Sequence, residues 1–152
     1  MKTLVKLLMT ASLAAPVSMA PQALGSDQEI VVDLGEIEQS AYYLALQARE
    51  AKSFVEDELN GSKGRSTVAK AIRLTRLLNV LAVEAAEAAA DGASDDELLA
   101  TYEEIEPLFY QIDSTKRSLA RYYRSQRRDV EEVFNDIRTA FYVYKKSVTG
   151  SY

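Results

Sequence analysis

The sequence predicts an all-α protein: an antiparallel, up-down-up-down four-helix bundle after an N-terminal signal peptide. Three observations carry this. Apolar residues recur at spacings of three and four through four long segments, the mark of amphipathic helices. Beyond Pro21 the chain holds one proline, Pro107. Short polar turns join the segments, which obliges sequence neighbours to run antiparallel.

Residues 1–25 read as an export leader rather than as part of the fold. Lys2 and Lys6 make a positive start, Leu7, Leu8 and Met9 through Ala14, Ala15 and Val17 a short apolar core, and small residues follow. Cleavage after Gly25 follows the small-x-small run Ala23-Leu24-Gly25, and a cut after Ala20 is the alternative, with Pro21 unfavourably placed beside it. The competing reading, an uncleaved anchor, is disfavoured. Lys6, Pro16 and Pro21 interrupt a stretch already short of the roughly 20 apolar residues of a span. Residues 26–152 then form one domain.

The first helix, about 28–60, carries Ile30, Leu34, Ile37, Ala41, Leu44, Ala48, Ala51 and Val55 on one seam. Asn60-Gly61-Ser62-Lys63-Gly64 stops it, Asn and Gly tolerating the left-handed backbone of a C-cap. The second, 66–90, has Ser66 or Thr67 as its expected cap and a seam of Ala71, Leu74, Leu78, Leu81, Ala85 and Ala88, broadened by Ile72, Leu77 and Ala82. After Asp91-Gly92-Ala93, Ser94 and Glu97 have the spacing of a capping box. The third helix, 95–123, follows with Leu98, Tyr102, Ile105, Phe109, Ile112, Lys116, Leu119 and Tyr123, and Pro107 is expected to kink it. The fourth, 127–148, runs through Val130, Phe134, Ile137, Phe141, Tyr144 and Val148. Antiparallel packing sets the alanine tract Ala85–Ala90 beside Tyr102, Phe141 and Tyr144, small against large.

Composition excludes several chemistries. The 152 residues include 18 Lys+Arg and 23 Asp+Glu but no His, Cys or Trp. There is thus no Ser-His-Asp or Cys-His nucleophile, no ordinary structural zinc site and no disulfide. In outline the bundle resembles the bundle cytochromes, but it has no His or Cys for haem, and Met1, Met9 and Met19 all lie in the leader. The resemblance is architectural and implies no function. Removing residues 1–25 takes away two lysines and no acids, so 16 − 23 gives a mature charge of −7. An acidic, cysteine-free exported protein points to a bacterial periplasm or the extracellular space.

Glu36, Glu84, Glu87, Glu103, Glu106 and Glu131 lie off the seams and read as solvated faces rather than a core metal site. The cations are more informative. Lys63, Arg65, Lys70, Arg73 and Arg76 crowd the start of the second helix, with no acid from Lys63 through Val83. Lys116, Arg117, Arg121, Arg124, Arg127 and Arg128 span the third turn, with no acid from Ser114 to Arg128. Antiparallel topology brings both groups to one end of the bundle, and acids collect at the other. Arg121-Tyr122-Tyr123-Arg124 offers guanidinium forks beside aromatic rings. Lys116, on a seam position, is expected to reach outward to water.

The candidate anion- or partner-binding residues are therefore Lys63, Arg65, Lys70, Arg73, Lys116, Arg117, Arg121, Tyr122, Arg124, Arg127 and Arg128. They suggest a non-enzymatic exported protein that binds a protein or an anionic lipid or lipopolysaccharide surface. Nucleic acid is disfavoured by the acidic net charge. The alternative is a carrier or sensor holding a small molecule or hard cation within the bundle. No catalytic, cofactor-binding or metal-ligating residue is assigned.

Overall fold

Two of the four helices open on a side chain that satisfies their first free amides. In the computed structural model, which describes residues 33–59, 61 and 64–150, Asp33 accepts from the amides of Gly35 and Glu36 at 3.0 and 3.3 Å and opens α1 (Leu34–Glu58). The expected leader, both its cleavage points, Glu29, Ile30, Asn60, Ser62 and Lys63 lie outside the described residues.

The second helix, α2 (Arg65–Ala90), starts one residue ahead of the expected caps. Its N-cap is Gly64, left-handed at φ 80°, with no side-chain hydrogen bond, so neither Ser66 nor Thr67 caps it. The capping box is present. Ser94 Oγ accepts from the Glu97 amide at 3.4 Å, and Glu97 accepts from the Ser94 amide at 2.8 Å, opening α3 (Asp95–Tyr122). α3 continues through Pro107, which faces outward. One 3-10 turn, Arg124–Gln126, leads into α4 (Arg127–Thr149), which ends at left-handed Gly150.

The four helices form the predicted antiparallel bundle. α1 and α3 each pack against both α2 and α4, and the diagonal pairs stay apart among the described residues. The core follows the predicted seams closely: Ile37, Leu44, Leu78, Ile105, Leu119 and Ile137 are all buried. Leu81, Ala88 and Val148 are only half-buried, and Leu77 is 47% exposed, beyond the edge of its seam.

Helix contacts divide by side-chain size. α1 and α2 present Ala41, Ala45, Ala48, Ala51, Ala71, Ala82, Ala85 and Ala86 to the core, and this pair packs most extensively. Asn79 Nδ2 donates 2.8 Å to the Ala45 carbonyl and pins the two together. α3 and α4 contribute rings instead. Phe109 and Phe141 stack at 3.9 Å and 9°, and Tyr102 lies 6.2 Å from Phe141 and 6.3 Å from Tyr144. The expected small-against-large arrangement is one continuous core. The Tyr144 hydroxyl has no hydrogen-bond partner among the described residues, and burial pushes its pKa well up.

At the opposite end, Tyr123 Oη donates to the Leu59 carbonyl at 3.1 Å, and Gln126 Nε2 to the Glu58 carbonyl at 2.8 Å. These bonds join the exit of α3 to the exit of α1. Tyr122 lies over Gly64, where an added Cβ would sit 3.0 Å from its Cγ.

Two substitutions test this packing. Phe141→Ala should cost about 3–5 kcal/mol in urea unfolding, since it removes the ring shared by Phe109 and Tyr102. Gly64→Ala should cost about 1 kcal/mol or more through left-handed strain plus the Tyr122 contact. Adding Tyr122→Ala should recover the contact part of that loss and leave the strain.

Candidate functional site

The outer face between α3 and α4 is a ladder of cross-helix pairs. From the aromatic end, Lys145 Nζ donates to Glu106 at 3.2 Å. The Phe109–Phe141 stack follows, with exposed Tyr110 and Tyr142 beside it. Arg138 then donates to Asp113 at 2.5 Å, and Lys116 to Asn135 Oδ1 at 3.1 Å. Beyond Lys116 the acids on α3 stop, and the ladder opens into a cleft of about 640 Å³.

Lys116, Arg117, Ala120, Arg121 and Arg124 line the cleft from α3 and its exit turn, and Arg127 and Glu131 line it from α4. Helical spacing explains the α3 wall: 117 and 121 fall on one face, with 116 and 120 beside it, and the turn after Tyr123 adds Arg124. Five of the lining residues are cations and one is an acid. That acid is already engaged, because Glu131 accepts from Arg127 Nε at 2.7 Å. Arg117, 76% exposed, has only a long 3.7 Å contact with Asp113. Arg121 and Arg124 have no ion pair among the described residues.

Lys116 departs from expectation. Instead of reaching into water it is buried, 8% exposed, with Nζ 3.2 Å from Asp113 Oδ1 and 3.1 Å from Asn135 Oδ1. Asp113 one turn earlier and Asn135 on α4 supply the acceptors that water would otherwise provide. Burial pushes the Asp113 carboxyl up, but hydrogen bonds from Arg138 and Lys116 outweigh it and hold the group below the ordinary carboxylate value.

The other predicted residues are placed apart. Arg65, Lys70 and Arg73 are exposed on α2, which packs against α3 but not α4, and they do not line the cleft. Arg128 is exposed outside it, and Tyr122, 51% exposed, leans on Gly64 instead. Ala120 in the cleft, and Asp113 and Asn135 on Lys116, were missed by the sequence reading, whereas Glu131 is one of the acids expected to neutralise part of the basic end. For Asp113 a signal existed: an acid three residues before a lysine on a seam is a ready i,i+3 partner.

No group of three or more acidic side chains that could hold a metal ion occurs among the described residues. A shallower hollow of about 290 Å³ lies between α1 and α2, lined by Tyr42, Ala45, Leu46, Arg49, Asn79 and Val83. No described helix is long and apolar enough to cross a membrane.

Fold and site together define an all-α four-helix bundle with a basic interhelical cleft at one end. No protein family, curated protein or solved structure matches the chain.

The lowered Asp113 pKa has a definite sign. Its contribution is present above the unfolded aspartate value of about 4 and is lost as pH falls through the folded value. Asp113→Asn should therefore be less stable than wild type at neutral pH, with the gap narrowing as the medium is acidified. Urea unfolding at a series of pH values measures it, and a gap that is constant with pH would contradict the assignment.

Proposed function

We propose that the protein is an exported, non-enzymatic helical-bundle protein that binds an anionic macromolecular partner or surface through the α3–α4 cleft. The observation that carries this is the make-up of the cleft: five cations against one acid, with that acid already bonded to Arg127. Guanidinium groups present planar pairs of donors that match carboxylate and phosphate oxygens. A solvated ion-pair surface explains Lys52–Glu56, at 2.7 Å, but not Arg121 and Arg124. The leader pattern of residues 1–25 supports export, and the lack of His and Cys supports binding over catalysis.

Binding to vesicles containing anionic lipid tests the reading. Affinity should fall steeply with added salt. Arg121→Glu with Arg124→Glu should weaken it by at least about thirtyfold, from about 1 kcal/mol per basic residue near an anionic surface. Arg65→Glu with Arg73→Glu, on α2 outside the cleft, should have a much smaller effect. Equal losses from both double variants would assign binding to net charge rather than to the cleft.

A further inference from the structure

We infer that the cleft seats a phosphomonoester, a terminal phosphate carried on a larger group, with the buried Lys116 ammonium as its floor. This rests on the cleft being the binding surface, and it names the chemistry that the surface takes.

The floor is unlike the walls. Lys116 is the one lining cation that is buried, and an ammonium has three donors. Asp113 and Asn135 accept two of them, which leaves one for an oxygen in the cleft. Above it, Arg121 and Arg124 bring guanidinium forks without carboxylates of their own among the described residues. A ligand that meets floor and walls at once needs acceptors pointing in several directions. A tetrahedral phosphate with three terminal oxygens has them, and a flat carboxylate does not. A dianion also suits the excess of Arg117, Arg121 and Arg124 better than a single charge.

Size indicates what carries the phosphate. The cleft of about 640 Å³ lies within the range of roughly 300–1,000 Å³ that holds organic ligands, far more than a bare phosphate fills. Ala120 is the smallest of the lining side chains and takes up little of that space. The phosphate accordingly sits on a glycerol- or sugar-sized group, as it does at a lipid or lipopolysaccharide surface.

The test compares phosphatidylcholine vesicles doped with phosphatidic acid, whose headgroup is a phosphomonoester, with vesicles doped with phosphatidylserine to the same surface potential. The wild-type protein should bind phosphatidic acid roughly tenfold more tightly, the worth of one charge-assisted hydrogen bond. Ala120→Leu narrows the cleft beside Lys116 without changing charge, and Lys116→Gln removes the floor cation. Each should abolish the preference, bringing phosphatidic acid binding down to that variant's own phosphatidylserine level. The readout is the ratio of the two affinities, which a loss common to both surfaces, such as that of the Lys116 charge, does not move. Ala120→Leu leaves the Asp113 contacts intact, so the test stands even if Lys116→Gln fails to fold. Inorganic phosphate at constant ionic strength should compete only weakly. Competition as strong as that of the vesicles would make the free ion the ligand and overturn the carrier. Equal wild-type affinity for both surfaces, or a preference that survives Ala120→Leu, would overturn the phosphomonoester site while the proposed function stands. Failure to bind either surface would overturn both.

Discussion

The bundle depends on an unequal division of volume between its two halves. Alanines on α1 and α2 let those backbones approach, close enough for Asn79 to reach a main-chain carbonyl of its neighbour. The space freed in the core is filled from the other side by Tyr102, Phe109, Phe141 and Tyr144. Each set is meaningful only with the other, because interiors tolerate neither voids nor overpacking. On the outer face between α3 and α4 the rings lie at one end, and toward the other the contact passes to polar groups and then to an open cleft, while Leu119, Val130 and Phe134 continue the core beneath.

Asp113 stands at that transition. It is the acceptor for Arg138 across the helix pair and for Lys116 along its own helix, and Lys116 in turn reaches Asn135 on α4. A buried lysine is costly unless its donors are met, so Asp113 and Asn135 make possible a cation below the surface of the cleft. The same contacts fix its position. A lysine that reached into solvent, as amphipathic side chains usually do, would leave Asp113 and Asn135 without this donor.

The helices were legible in the sequence because each signal is local. The seam through Ile37, Leu44 and Val55 follows the helical period, and the Ser94–Glu97 box is a four-residue pattern whose geometry is that observed. The failures share a cause. Ser66 was a reasonable cap by residue type, but the backbone turns into the helix at Gly64, where Tyr122 packs from a different helix. Leu77 follows the apolar pattern yet lies exposed, since the width of a seam is set by its neighbours. Lys116 could be placed on the seam but not buried there, because the decision belongs to Asn135, nineteen residues away. The basic end was legible as charge. Which cations share a cleft depended on α3 meeting α4 on that face while α2 lies on the other side.

Helix electrostatics do not account for the cations of the cleft. In an antiparallel bundle two helix starts and two helix ends meet at each end, so the macrodipoles largely cancel there. Arg117 and Arg121, four apart on α3, are like-charge neighbours, a pair costing a few tenths of a kcal/mol. Outside the cleft the same face pairs its cations, Lys145 with Glu106 and Arg138 with Asp113, and among the described residues the only closely paired cation of the cleft walls is Arg127, with Glu131. Stability alone would place an acid at 120 or 124 and continue the ladder. Ala120 and Arg124 stand there instead. The small repulsion is offset by the buried contacts of Leu119 and Tyr123 on the inner face of the same turn. One face of the turn thus holds the fold while the other presents Arg121 and Arg124, which have no ion pair among the described residues.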